Sequence, residues 1–214
     1  MRVHIVYAHP SHECFTGAIL SAFTAGLDDA GHTHTVSDLY AMGFDPLLNL
    51  DEYRRESTYA VDLPVPGDVA AEQTKLDTAD AWVFIYPVWW TDCPAILKGW
   101  FDRVWTVGYA YDPGHTKAGR HVAASQPVAQ KALVLCAAGH TEDELRATGL
   151  YQAMEAVMLG DRIGTRATSK EFVVLGGSAD VDPEAWPAQR QALLDKAGQL
   201  GQDIAKTLPA VVEI

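Results

Sequence analysis

Apolar and polar positions along the 214-residue chain fall into blocks, short runs of strand length alternating with longer stretches at helical spacing. Residues 3–8 (Val-His-Ile-Val-Tyr-Ala) are apolar and β-branched and end at the turn-prone His9-Pro10-Ser11, which predicts a buried strand. Ala18, Ile19, Ala22, Phe23 and Leu27 then predict a helix over 16–30, with Gly31 as its stop. Residues 34–37 predict a short second strand. In the irregular stretch after it, 51–59 predicts one short helix and Leu63-Pro64-Val65-Pro66-Gly67 a break. Residues 68–79 predict a helix, and 81–86 (Ala-Trp-Val-Phe-Ile-Tyr) predict the most deeply buried strand of the chain. A helix over 94–107 follows, with Pro94 near its first turn and Ile96, Leu97, Trp100, Phe101 and Val104 along one side. Residues 108–130 read as loop, 132–138 as a fourth strand, 142–159 as a helix, 171–175 as a fifth strand and 183–207 as a final helix.

Continuous apolar strands alternating with helices predict a parallel sheet covered on both faces, an α/β fold formed as a single domain over 1–214. Ligands of such sheets sit beyond the carboxyl ends of the strands, where the strand order reverses. Three loops therefore matter, those after Ala8, Tyr86 and Ala138.

Composition narrows the choice of partner. With 28 Asp and Glu against 16 Lys and Arg, the net charge of -12 argues against nucleic acid and anionic membrane surfaces. No apolar run approaches the roughly 20 residues of a membrane span, and the apolar segment after Met1 is too short for a signal sequence. Cys14, Cys93 and Cys136 are widely spaced and odd in number, which fits neither a disulfide framework nor a metal pair. A reducing cytoplasm is the expectation.

The first loop, from His9 through Cys14 to Phe15, Thr16, Gly17 and Ala18, offers hydroxyls and a helix start whose free N–H groups can hold a phosphate. It equally suits an ordinary N-cap at Thr16. The second loop puts Trp89 and Trp90 directly after Pro87 and Val88, a flat apolar wall suited to an aromatic ring; capping of the core is the plainer alternative. The third, Ala137-Ala138-Gly139-His140-Thr141, is small enough for a ligand to approach backbone closely. His140 is a candidate proton donor there, against the alternative of a solvated loop histidine.

Several chemistries lack their patterns. No GxGxxG or GxxxxGK[ST] follows a strand, no GxSxG elbow marks a hydrolase, and the histidines, His32 and His34 included, show no metal spacing, so no metal is expected.

The chain resembles the NAD(P)H:quinone oxidoreductase (DT-diaphorase-like) family. The resemblance is carried by Ser37-Asp38-Leu39-Tyr40-Ala41-Met42, Phe44-Asp45-Pro46, 71–76 with Ala79-Asp80, Pro87-Val88-Trp89-Trp90, and 94–104. It covers roughly residues 3–140. It implies a flavodoxin-like three-layer sandwich with a five-stranded parallel sheet in the order 2-1-3-4-5. It further implies bound FAD, with FMN as the alternative, NAD(P)H as co-substrate and a quinone-type acceptor. By resemblance, His9, Phe15, Thr16, Gly17 and Ala18 hold the flavin's phosphates and ribityl chain, Pro87, Val88, Trp89 and Trp90 line its ring, and Ala137, Ala138, Gly139 and His140 face its other edge. Tyr111 stands where the family closes the acceptor pocket from a partner subunit, implying a homodimer. Lys117 or Arg120 is the expected contact for an NADP 2′-phosphate.

Departures from the family pattern concern acceptor choice and proton donation. His140 replaces a glycine, Thr91 an aromatic residue, and the segment 160–164 differs throughout. An azo or nitro acceptor, or a regulatory subunit of a potassium-efflux transporter that keeps the fold, are the rival readings.

Overall fold

The structure is a computed structural model, and it describes residues 1–111, 116–117, 120–121, 128–179 and 181–206. The side chains of Lys117 and Arg120 lie outside the described part.

In chain order the elements are β1 (Arg2–Tyr7), α1 (Phe15–Asp29), β2 (Thr33–Asp38), α2 (Leu50–Ser57), α3 (Gly67–Thr78), β3 (Ala81–Pro87) and α4 (Ala95–Val104). A two-residue pair follows, β4 (Thr116–Lys117) and β5 (Arg120–His121), inside the stretch expected to be loop. The rest comprises β6 (Ala129–Ala137), α5 (Glu142–Ala147), α6 (Leu150–Glu155), a π-helical segment Ala156–Ile163, β7 (Ala167–Leu175) and α7 (Trp186–Gln202).

Five parallel strands form one sheet in the order β2-β1-β3-β6-β7, which is 2-1-3-4-5 when the sheet strands alone are counted. β3 is central and buried along its whole length because both its faces are covered. Val83 and Ile85 pack with Phe23 and Leu27 of α1 and Ala197 of α7. Phe84 and Tyr86 pack with Leu97, Trp100 and Phe101 of α4 and Met158 of the π segment. This two-sided burial is why 81–86 reads as an unbroken apolar run. The edge strands can afford polar groups, so β7 starts at Ala167, earlier than its apolar half announces, with Glu171 paired to Lys131 of β6 at 3.1 Å.

Two buried polar clusters lock the helices on the second face. Glu72 of α3 is fully buried and accepts from Trp100 Nε1 (2.9 Å), Ser37 Oγ (3.0 Å) and Lys75. Arg103 of α4 donates to Glu52 of α2 (2.8 Å), Asp68 of α3 (2.6 Å) and the Asp45 carbonyl (2.8 Å).

The helix expected over 142–159 is instead broken. Gly149 takes a left-handed φ of 78°, which ends α5 and begins α6, and the winding then widens to π. Cations serve the carbonyls left over at its end: Lys170 Nζ donates to the Leu159 and Gly164 carbonyls at 2.9 and 2.7 Å. Among the described residues no helix is long and apolar enough to cross a membrane.

Candidate functional site

All three loops lie at the carboxyl end of the sheet and are joined by backbone. Ala8 N–H donates to Ile85 O (3.0 Å), Val88 N–H to Ala137 O (2.7 Å) and Ala138 N–H to Leu175 O (3.3 Å). Side chains join the first two as well, with the His9 and Trp89 ring centroids 6.1 Å apart.

The cap of α1 is not Thr16. Thr16 is buried inside the first turn, and Cys14 is the N-cap, its Sγ accepting from Gly17 N–H at 3.3 Å. The chain arrives two residues early because the loop folds on itself: Tyr7 Oη and Cys14 Sγ both point to the Ser11 carbonyl, at 3.0 and 3.1 Å. A Cβ on Gly17 would lie 2.1 Å from the His12 carbonyl oxygen, so only glycine lets the loop backbone rest on the helix start. Phe15 and Thr16, the first two helical residues, have N–H groups with no acceptor inside the helix. His9 Nδ1 is engaged by the loop, 2.8 Å from Ser11 O and 3.2 Å from Cys14 Sγ, which leaves Nε2 for a ligand. The half-buried Ala18 lies on the same first turn. Phe15 packs edge-on against Trp186 at 5.5 Å, tying the site to the start of α7.

In the second loop Pro87 is buried, Val88 half-buried, Trp89 41% exposed and Trp90 fully exposed. Trp89 and Asp92 exchange N–H···O bonds of 2.9 and 3.1 Å around Trp90 and Thr91. Those two residues have φ values of 51° and 62°, as in a type I′ turn. Asp92 then meets Arg162 in a two-pronged bridge, Nη1 to Oδ1 at 2.7 Å and Nη2 to Oδ2 at 2.9 Å. Partial burial pushes the Asp92 carboxyl up, but the Arg162 hydrogen bonds and charge, with the Cys93 N–H, outweigh it and hold it below the usual carboxylate range. Burial pushes the neighbouring Cys93 thiol up to about 12, so it is not a thiolate nucleophile.

In the third loop Ala137 and Ala138 are buried and Gly139 is half-buried. The Ala138 and Gly139 carbonyls accept from Ser178 Oγ (3.1 Å) and Ala179 N–H (3.0 Å). His140 is 70% exposed with Glu144 at 3.8 Å, and Thr141 caps α5 in a capping box with Glu144. Tyr111 is held by α2: its hydroxyl donates to Glu56 Oε2 at 2.6 Å, an oxygen that also takes the Val107 N–H at 2.8 Å. Among the described residues no group of three metal-ligating side chains occurs.

The three loops are thus brought together at the carboxyl end of the sheet, while the His140 side chain turns to Glu144 and Tyr111 is engaged with α2. Asp92, Arg162 and Cys14 are functional candidates that the sequence pattern did not single out. Asp92 carried a faint signal, an acid directly after a Trp-Trp-Thr turn; Arg162 lies 70 residues away and carried none beyond the unusual segment around it. Open grooves of about 660 and 760 Å³ lie between α1 and α7 and beside α2; of the expected loop residues Ala18 alone lines the first, and none lines the second.

Sheet order, loop placement and core define a protein of the flavodoxin-like fold, and the chain belongs to that family, whose model matches residues 1–197. Among solved structures the chain is similar to an NAD(P)H:quinone oxidoreductase from Methanothermobacter marburgensis, with 42% identity, a TM-score of 0.85 and 99% of each chain covered. Among curated proteins, a ribosyldihydronicotinamide dehydrogenase-like protein of Penicillium crustosum is 30% identical over 173 residues, 74% of this chain and 65% of that protein. NAD(P)H dehydrogenase (quinone) 1 of Rattus norvegicus is 37% identical over 123 residues, 51% of this chain and 45% of that one. The chain therefore spans about half to two thirds of the length of the curated relatives it matches.

Proposed function

We propose that the chain is a flavin-dependent oxidoreductase that takes electrons from NAD(P)H and delivers them in pairs to a quinone-type acceptor. The observation that carries this reading is the junction of the first two loops. Unpaired helix-start amides and His9, suited to phosphate, stand beside Trp89, suited to an aromatic ring. The likeness to the archaeal quinone oxidoreductase over nearly the whole chain supports the same reading.

The residues present fit a flavin. The N–H groups of Phe15 and Thr16 and His9 Nε2 would hold its phosphate, with Gly17 and Ala18 keeping the helix start close. Pro87, Val88, Trp89 and Trp90 would line its ring, and the small Ala137, Ala138 and Gly139 would admit its other edge to backbone, next to His140. When bound, a flavin supplies the hydride-accepting and hydride-donating chemistry that no side chain here provides. The protein's share is orientation, the indole wall beside the ring, and His140 as proton donor to the reduced acceptor.

We further propose a homodimer in which Tyr111 of the partner subunit closes the acceptor side. Leu47, Leu50, Tyr53, Tyr59, Val61 and Leu63 are all exposed within one short stretch, more apolar surface than a monomer needs to show water. Single chains, moreover, leave Trp90 wholly uncovered.

The test is the visible spectrum of the purified protein before and after anaerobic NADPH. Flavin bands that bleach on addition, and turnover with a soluble quinone, are expected; mass spectrometry of the released cofactor distinguishes FAD from FMN. A protein that stays colourless after incubation with both flavins overturns the proposal.

A further inference from the structure

The turn after β3 has an unusual construction. Trp90 and Thr91 both occupy the left-handed region, which glycine and asparagine favour and which bulky or β-branched side chains avoid. Beyond the Trp89–Asp92 backbone pair, such a turn carries strain that its side-chain contacts must offset. The residue directly after the pair is Asp92, whose carboxylate takes both prongs of Arg162 and, at 2.6 Å, the N–H of Cys93.

Arg162 is itself tightly packed. Its side chain is only 7% exposed and is wedged against Cys93 Sγ (3.2 Å), Met158 Sδ (3.1 Å) and the face of Phe101. Its carbonyl accepts from Trp105 Nε1 at 2.6 Å, so backbone and side chain are both fixed. Arg162 lies near the end of the π-wound Ala156–Ile163, and its guanidinium reaches Asp92 at the close of the strained turn.

We propose that Asp92 and Arg162 are positioning residues, their bridge holding Trp90 and Thr91 left-handed and so fixing the indole wall and the 87–90 backbone that face the flavin. The inference rests on the proposed flavin site for its consequence, but the grip on the turn is a property of the protein alone.

The test uses the full chain carrying Arg162→Met, which refills the apolar niche beside Met158 and Phe101 and leaves the half-exposed Asp92 to water. In the flavin-free protein, hydrogen exchange at the Trp89 and Asp92 amides is expected to speed up about tenfold. FMN and FAD, titrated by fluorescence quenching, are expected to bind about tenfold more weakly, with the acceptor KM raised more than kcat is lowered. The deciding variant is Arg162→Met with Thr91→Gly. Glycine adopts the left-handed region without strain, so both the exchange rates and the flavin affinity should return towards wild type. Should Arg162→Met not fold, Asp92→Asn keeps the shape, drops the charge and is read the same way.

Unchanged exchange at the turn amides overturns the proposal. So does a loss that Thr91→Gly does not restore, because the bridge would then support the fold in general. If the wild-type protein binds neither flavin, the functional reading falls, and the exchange experiment still decides whether the bridge holds the turn.

Discussion

His4 shows how a single residue can set the protein's response to acid. It is wholly buried in β1, with Nδ1 2.8 Å from Thr35 Oγ1 and Nε2 3.3 Å from Ser37 Oγ. Ser37 donates to Glu72 while its oxygen accepts from Lys75, so a neutral imidazole with its proton on Nε2 satisfies every atom. Burial lowers its pKa from 6.5 to about 4, against the opposing pull of Glu72 and with some help from Lys75. The folded pKa lies below the unfolded one, so the unfolded chain binds the extra proton between those values and stability falls as pH drops from 6.5 towards 4. Urea unfolding at stepped pH should show a loss of about 1 kcal/mol per unit in that window, and His4→Gln should flatten it. A wild-type curve already flat there would refute the assignment. Gly17 gives a second test at this scale: Gly17→Ala places a methyl against the His12 carbonyl and should weaken flavin binding by about tenfold or more while far-UV circular dichroism is kept.

Among elements, strands and their helices were legible in the sequence because each strand buries a continuous apolar run and each helix a periodic face. The unbroken apolar run of 81–86 and the helical spacing of Ile96, Leu97, Trp100, Phe101 and Val104 translate directly into β3 and α4. What was not legible depends on partners distant in sequence. Thr16 looks like a cap until the Ser11 carbonyl gathers Cys14 into that role; the break inside 142–159 comes at the left-handed Gly149, and the π winding after it leaves no periodic mark in so short a segment. Arg103 reads as one more charge on a helix, yet it joins α4 to α2 and α3. Truncation by Arg103→Ala strands the buried Glu52 and should cost about 3–5 kcal/mol in chemical unfolding. At Gly149 the surroundings are open and only backbone strain is at stake, so Gly149→Ala should cost about 1 kcal/mol.

For the molecule as a whole, the sheet order followed from the pattern and the family resemblance, and the three loops meet at the carboxyl end of the sheet, whereas assembly concerns surface that a single sequence does not mark. If the exposed apolar stretch from Leu47 to Leu63 is the dimer face, sedimentation should give twice the mass of one chain. Leu47→Lys with Tyr53→Lys should then give monomers that keep flavin but lose quinone turnover, since Tyr111 of the partner subunit would be missing. Dimers that persist in that variant would place the interface elsewhere. The sulfurs offer a simpler view of the intact protein. Of the three cysteines, Cys93 and Cys136 are buried and only Cys14, the cap of α1, reaches solvent. The folded chain therefore carries one native labelling site, set in the loop that would grip phosphate. Maleimide uptake, counted by mass, becomes a footprint of occupancy: one adduct when the loop is empty, protection when it is filled, and three once the fold is gone.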